Sequence, residues 1–391
     1  MRVTHIITRL IVGGAQENTV ASVLGMAGQP GIESELVTGP DSGAEGSLAR
    51  LFATCPERLI TASHLVRPIH PLKDGLALAQ LTGILRARQP DIVHTHSGKA
   101  GILGRLAARR AGVPIVVHTI HGPSFGPFQG SLSNAVFKNA ERIAARFTTH
   151  FVSVADAMTR QYLDAGIGRP EQFTRVLSGF PLEPLLRATN DLDLRARLGL
   201  APTNFVVGML ARLTALKGHD DLLACAPELV RRVPHVKFLL IGDGPRSSFL
   251  EARVRALGLE SHFVFTGLVQ PAEVPRLIGV MDALVHLSYR EGLPRALPQA
   301  LAAGKPVVAY NSDGAGEVCL DQETGFLLPQ GDTRLLVERM VRLASDPALR
   351  ARLGDRGRDL VKDSFSVERM VDALSALYQK LSAEARNSRR A

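Results

Sequence analysis

The sequence predicts an α/β protein built from two doubly wound parallel sheets in tandem. Three observations lead there. Short apolar runs of strand length alternate with amphipathic, helix-compatible segments from end to end. The alternation is interrupted once, by the charged and polar stretch Ala188–Arg197 between Pro184 and Pro202, which reads as a linker with a short helix. At 391 residues the chain has room for two domains of roughly 100–200 residues each.

In the first half, strands are expected near Val3–Ile7, Glu35–Thr38, Arg58–Thr61, Ile92–Thr95, Ile115–Thr119, Phe151–Val154 and Thr174–Leu177, with helices between them. The rhythm restarts at Phe205–Leu210. It continues through Val236–Ile241, Phe263–Phe265, Ala283–Leu287, Val307–Ala309 and Phe326–Leu328. After Gly331 the chain turns helical and ends in Val367–Ala383, where Met370, Leu374, Leu377 and Leu381 recur at helical spacing. The expected domains are therefore residues 1–185 and 186–365, followed by a terminal helix in 366–391.

Composition narrows the function classes. An apolar fraction of 45% and a charged fraction of 21% exclude a disordered chain. No run approaches the ~18–20 apolar residues of a membrane span, and Arg9 interrupts the first apolar run, so no signal peptide is read and a cytoplasmic address is expected. Cys55, Cys225 and Cys319 are too far apart for a clustered zinc site and odd in number for a disulfide framework. The formal charge of +9 is spread over both halves, and the chain has no Trp and only 4 Tyr. Nucleic-acid binding, which relies on stacking platforms, is not expected; anionic small molecules or anionic lipid are.

In doubly wound sheets, ligands bind at the carboxyl ends of the strands, so function is sought in the strand-to-helix loops. Gly13-Gly14 follows the first strand, where glycine lets backbone N–H groups approach a phosphate at a helix start. His94, His96, His118 and His121 sit near two strand ends. His94 and His96 share one strand face, which begins a metal site, but no nearby acidic group completes it and no metal is expected. His121, just past a strand in Thr119-Ile120-His121-Gly122-Pro123, is placed to hydrogen-bond a substrate hydroxyl. Phe125-Gly126-Pro127-Phe128 is read as a candidate acceptor loop. In the second half, Arg212 leaves a strand and Lys217-Gly218 opens the next helix, a spacing that suits a diphosphate clamp. The most specific segment is Arg290-Glu291-Gly292-Leu293-Pro294-Arg295-Ala296-Leu297-Pro298-Gln299. Pro294 suits a first helical position, so Glu291 precedes the helix and Gln299 falls about two turns further on, close in angle.

These elements, in this order, resemble glycosyltransferase family 4. Gly13-Gly14-Ala15-Gln16, His94-Thr95-His96, His121-Gly122, Arg212 with Lys217-Gly218, Gly242-Asp243-Gly244-Pro245, Phe265-Thr266-Gly267 and Glu291-Gly292-Leu293-Pro294 span nearly the whole chain. The resemblance implies the GT-B fold, two Rossmann-like domains facing a central cleft, with acceptor binding in the first and nucleotide-sugar binding in the second. It implies retaining transfer from a nucleoside-diphosphate sugar, most simply a UDP- or GDP-sugar, to an acceptor hydroxyl, without cofactor or metal. In that frame His121, Arg212, Lys217 and Glu291 would be catalytic. Gly14, Gly267, Leu268, Gly292, Leu293, Pro294 and Gln299 would hold the donor. It also implies that the terminal helix packs back on the first domain.

Two positions depart from the family pattern. The second of the family's paired glutamates is Gln299 here, which keeps hydrogen bonding to a ribose but not the charge. The frequent Asn-Gly before the interdomain segment is Ser178-Gly179. Two other readings stay open on the residues alone: a two-domain nucleotide-sugar epimerase and a non-catalytic nucleotide-sugar-binding protein. For the acceptor, a glycan or a lipid-linked glycan, the sequence offers two basic groups. Lys138, Arg142 and Arg146 recur every four residues on one helix, and Arg105, Arg109 and Arg110 lie on another. Both fit peripheral contact with an anionic membrane at the inner face.

Overall fold

A computed structural model describes residues 1–40, 46–126 and 128–390. Pro127 of the candidate acceptor loop lies outside the described residues. The strands in chain order are β1 (Arg2–Ile7), β2 (Glu33–Thr38), β3 (Leu59–Thr61), β4 (Ile92–His96), β5 (Ile115–Ile120), β6 (His150–Ser153), β7 (Phe173–Arg175), β8 (Phe205–Leu210), β9 (Val236–Ile241), β10 (Phe263–Phe265), β11 (Ala283–His286), β12 (Val307–Tyr310) and β13 (Gly325–Leu328). The helices are α1 (Gly14–Met26), α2 (Pro71–Arg88), α3 (Gly98–Ala111), α4 (Ser131–Ala145), α5 (Asp156–Asp164), α6 (Glu183–Leu186), α7 (Leu192–Arg197), α8 (His219–Arg232), α9 (Ser247–Ala256), α10 (Val274–Gly279), α11 (Ala296–Ala302), α12 (Thr333–Ser345), α13 (Pro347–Val361) and α14 (Val367–Arg390).

Two compact units emerge, one of Met1–Phe180 with Ser366–Ala391 and one of Pro181–Phe365. The first contains a seven-stranded sheet in the order β3-β2-β1-β4-β5-β6-β7, and the second a six-stranded sheet in the order β10-β9-β8-β11-β12-β13. Every pairing of named strands is parallel. Parallel strands covered on both faces are mostly apolar, and β4, β5, β6, β11 and β12 are buried at every position, their few polar residues included. Both sheets reverse winding direction beside their first strand, between β1 and β4 and between β8 and β11. Such a reversal opens a crevice at the carboxyl ends, where loops from both sides meet.

The first unit is completed by the end of the chain. Met370, Val371, Leu374, Leu377, Tyr378 and Leu381 of α14 pack with Val3, Met26, Ile92, Ile115, Val117, Val152 and Val176 in one buried cluster. Gly179 is needed at the join, because a Cβ there would lie 2.6 Å from the Ser366 carbonyl oxygen.

Three sequence expectations change. The stretch 188–197 is no linker but part of the second unit: the Arg195 guanidinium, 2% exposed, bonds the carbonyls of Val280, Pro202 and Asn204 and pairs with Asp282 at 3.0 Å. Its charges misled because a long cation can be buried when every donor finds an oxygen. Arg105 is likewise not a surface cation. It is fully buried, paired with Glu141 at 2.5 Å and bonded to the Gly101 carbonyl at 2.7 Å. Pro294 does not open a helix: Leu297 N reaches back to Pro294 O at 3.1 Å in a tight turn, and α11 begins at Ala296.

Candidate active site

In the second unit, the loop after β8 is shaped by the loops beside it. Leu213 N bonds Asp243 O at 3.0 Å, and Arg246 N bonds Leu213 O at 3.1 Å, tying the Arg212 segment to the Gly242-Asp243-Gly244 turn after β9. On the other side, Tyr289 N and Ser288 Oγ both donate to Leu216 O, at 2.9 and 3.2 Å. Between these anchors Gly218 adopts φ 79°, and a Cβ there would stand 2.1 Å from the Leu287 carbonyl oxygen. Only glycine allows this approach. Its consequence is that Lys217 is held against the end of β11.

There Lys217 Nζ donates to Glu291 Oε1, and His286 Nε2 lies 3.4 Å from the same oxygen. Burial pushes the Glu291 carboxyl up, but Lys217 and His286 beside it outweigh this and bring it down to about 2. The carboxylate is therefore ionised throughout the neutral range. Its backbone is fixed as well, since Glu291 N donates to Asp313 Oδ2 at 2.6 Å and Gly314 N to Gly292 O at 3.0 Å. Asp313 holds φ 47°, a left-handed conformation unusual for a residue with a side chain. Tyr289 and Tyr310 both donate to Asp221 Oδ2, at 2.6 and 2.9 Å, bracing the same two loops.

The sequence-derived residues of this unit thus fall on neighbouring loops. Arg212 and Lys217 follow β8, and Gly292, Leu293 and Pro294 follow β11. Gln299 is half-buried in α11, where its N–H bonds Arg295 O at 3.1 Å. Gly267 follows β10 with φ 67° and forms an isolated bridge with Gly242, which carries it to the turn after β9; Leu268 beside it is exposed. His286 and Asp313 were missed by sequence reasoning, because neither lies in a recognisable motif.

In the first unit Gly13 is extended and caps α1, which starts at Gly14 beside the β1/β4 reversal. The histidines divide between the two sheet faces. Alternation along β4 and β5 places His118 with Thr95, whose Oγ1 lies 2.9 Å from His118 Nδ1. His94 and His96 lie on the other face and stack at 4.4 Å between ring centroids. His5 of β1, in register with His94, joins them. His5 Nδ1 is 3.0 Å from His96 Nε2, and His96 Nδ1 is 3.0 Å from His121 Nε2. His94 bonds Thr119 Oγ1 at 2.6 Å and the Tyr378 hydroxyl of α14.

Burial pushes the His5 imidazole down to about 3 and holds His94, His96 and His118 well below the ordinary histidine value. His5, His94 and His96 could converge on a metal. Both ring nitrogens of His94 and His96 already have partners among neighbouring side chains, so a metal would have to displace those bonds.

Two Rossmann-like units with seven and six parallel strands form the GT-B architecture of glycosyltransferases. The chain matches the family model "Glycosyl transferase 4-like domain" over residues 13–178 and the model "Glycosyl transferases group 1" over residues 190–360. It is 30% identical over 323 residues to the UDP-Gal:alpha-D-GlcNAc-diphosphoundecaprenol alpha-1,3-galactosyltransferase of Escherichia coli, covering 80% of this chain and 81% of that protein. It is 31% identical over 275 residues, 68% and 69% of the two chains, to a GDP-mannose-dependent alpha-(1-6)-phosphatidylinositol monomannoside mannosyltransferase of Mycolicibacterium smegmatis. Its fold matches Anabaena HepE, solved with UDP and glucose, with a TM-score of 0.82 over 97% of this chain and 100% of that one at 23% identity.

The chain belongs to the group 1 glycosyltransferases. It is an enzyme that transfers a sugar, and neither the epimerase nor the non-catalytic reading is supported. Among the described residues no helix is long and apolar enough to cross a membrane.

Proposed function

We propose that this enzyme transfers a sugar with retention from a UDP- or GDP-sugar to a hydroxyl of a glycan or lipid-linked acceptor in cell-envelope polysaccharide assembly. The observation that carries the reading is the Lys217–Glu291 pair at the β8/β11 reversal, its lysine on the loop that also holds Arg212. As the sugar bond breaks, negative charge develops on the departing diphosphate. Arg212 and Lys217 stabilise that charge, and pre-placed donors of this kind contribute about 3–4 kcal/mol each. Two such cations make a metal unnecessary for the leaving group. Glu291 accepts from donor-sugar hydroxyls, aided by the backbone of Gly292, Leu293 and Pro294. Gln299 binds the ribose, and Gly267-Leu268 offers its backbone to the base edge. His121 hydrogen-bonds a substrate hydroxyl, and the α1 start at Gly14 adds backbone N–H groups.

The donor is supported by relatives named for UDP-galactose and GDP-mannose, and the acceptor class by relatives named for diphosphoundecaprenol-linked sugar, capsular polysaccharide and phosphatidylinositol mannoside. Peripheral membrane contact is supported by α4, where exposed Leu132, Val136 and Ile143 lie along one stripe, although the Arg142 guanidinium is engaged by the Ala165 carbonyl at 2.9 Å. The wild type is expected to co-sediment with anionic liposomes and not with neutral ones, and Leu132→Ser with Val136→Ser to lose that co-sedimentation. Equal recovery with both liposome types removes that contact.

The main test is nucleoside diphosphate release from UDP-, GDP-, ADP- and dTDP-sugars in the presence of chelator. One donor is expected to turn over, Arg212→Ala and Lys217→Ala to abolish it, and the product anomer to keep the donor's configuration. Inversion of the anomer, or full turnover in either variant, overturns the mechanism.

A further inference from the structure

The three imidazoles of His5, His96 and His121 form a line from the core of the first sheet to the loop after β5, joined by two contacts of 3.0 Å. The protons of the three rings in such a line are interdependent. A neutral imidazole carries one proton, so each ring that accepts through one nitrogen must donate through the other. The polarity of the whole line is then set at its buried end. His5 is fully buried, and its Nε2 has no hydrogen-bond partner among the described residues. A buried N–H without an acceptor is the costlier orphan, so the His5 proton resides on Nδ1 and the bare lone pair on Nε2.

We propose that His5 and His96 are positioning residues that fix His121 as its Nδ1–H tautomer. The His5 Nδ1–H donates to His96 Nε2, the His96 Nδ1–H donates to His121 Nε2, and the proton of His121 is left on Nδ1. The line thereby presents a hydrogen-bond donor to the substrate hydroxyl oxygen and withholds a basic nitrogen from it. Burial keeps the inner rings neutral, as their lowered pKa values require, so the line cannot reverse by taking up a proton near neutral pH. His94 does not enter the line. Thr119 and Tyr378 occupy its two nitrogens, and its ring stacks on His96, confining that ring to the plane in which both contacts can form. The functional consequence rests on the reading of His121 as a substrate contact; the tautomer itself does not.

The two can be tested apart. In full-length protein labelled with 15N-histidine and free of ligand, the ring nitrogen resonances of His121, assigned from the spectrum of His121→Gln, report which nitrogen carries the proton. Nδ1–H is expected in the wild type. His96→Asn keeps a donor near the Nδ1 position and should retain it, whereas His96→Leu removes the donor and should let the Nε2–H form appear. With the donor selected by the sugar-nucleotide panel, kcat of His96→Leu should fall roughly tenfold and that of His96→Asn much less, at similar KM. Nε2–H in the wild type, or an unchanged tautomer in His96→Leu, overturns the proposal. Tautomers as assigned with unchanged kcat in His96→Leu uphold the line and remove His121 from the substrate contacts.

Discussion

Lys217 and Glu291, 74 residues apart in sequence, form a direct ion pair, and His286 Nε2 lies 3.4 Å from the same carboxylate oxygen. In the mechanism proposed above, a nucleotide sugar engages both members, the lysine through its diphosphate and the carboxylate through its sugar. Binding therefore exchanges one partner for another. Glu291→Gln should loosen the hold on Lys217, tightening nucleoside diphosphate by about tenfold or more while turnover falls, given that a charged hydrogen bond contributes about 1.5–3 kcal/mol and about 1.4 kcal/mol is tenfold. Calorimetric titration of UDP and GDP checks this. Weaker binding by the variant would show that the pair acts as one unit.

The histidines of the first unit set an acid limit on stability. His5 ordinarily titrates at 6.5 and is held at about 3 in the fold. Below 6.5 the unfolded chain takes up a proton that the folded chain refuses. Stability is thus full above that value and falls as pH drops toward 3, by about 1.4 kcal/mol per pH unit for His5 alone. His94, His96 and His118 act in the same direction. Glu291, lowered from 4.5 to about 2, has the same sign in a lower window, losing its contribution only below 4.5. Thermal melts should decline from pH 6.5 downward, and His5→Leu should flatten the slope. A stability independent of pH between 6.5 and 5 contradicts this.

Ser97, immediately after His96, holds φ 63° and ψ 170°, a region almost reserved for glycine. Strain there costs about 1–3 kcal/mol, partly offset in a glycine variant by the greater freedom of its unfolded chain. Ser97→Gly should raise the melting temperature, by a net gain of about 1 kcal/mol. A lower melting temperature would mean that the serine side chain supports the turn.

Arg105 and Glu141 join α3 to α4 inside the first unit, with Ser124 Oγ adding a bond to Glu141 at 3.1 Å. Arg105→Ala leaves a buried carboxylate without its partner and should cost about 3–5 kcal/mol, whereas Arg105→Met with Glu141→Leu should recover most of it. Chemical denaturation distinguishes the two. Equal losses in both would place the cost in packing rather than charge.

The strands were legible because their burial on both faces writes itself as apolar runs: Phe205–Leu210, Val236–Ile241 and Phe263–Phe265 stand where the pattern put them. The loops after β8 and β11 were legible as motifs, but not their contact. That contact depends on Gly218 fitting against Leu287, a relation between distant segments that no local pattern records. His5 was invisible for a similar reason. It becomes a partner of His96 only because β1 lies beside β4, a neighbourship created by the reversal of winding. Arg105 and Arg195 were misread because charge in a sequence does not say whether an oxygen waits for it in the core.

The returning helix α14 also has a consequence for the order of events in synthesis. Tyr378 and the leucines around it close the floor beneath β1, β4 and β5, and they are made only after every strand of both sheets. Residues 181–365 can reach their final packing while the chain is still emerging from the ribosome. The first sheet, though made earlier than the second, waits with an open apolar face until α14 has been made. A product truncated before Val367 would therefore carry a finished second unit and an unfinished first one, and would be marked for degradation by the half that was made earliest.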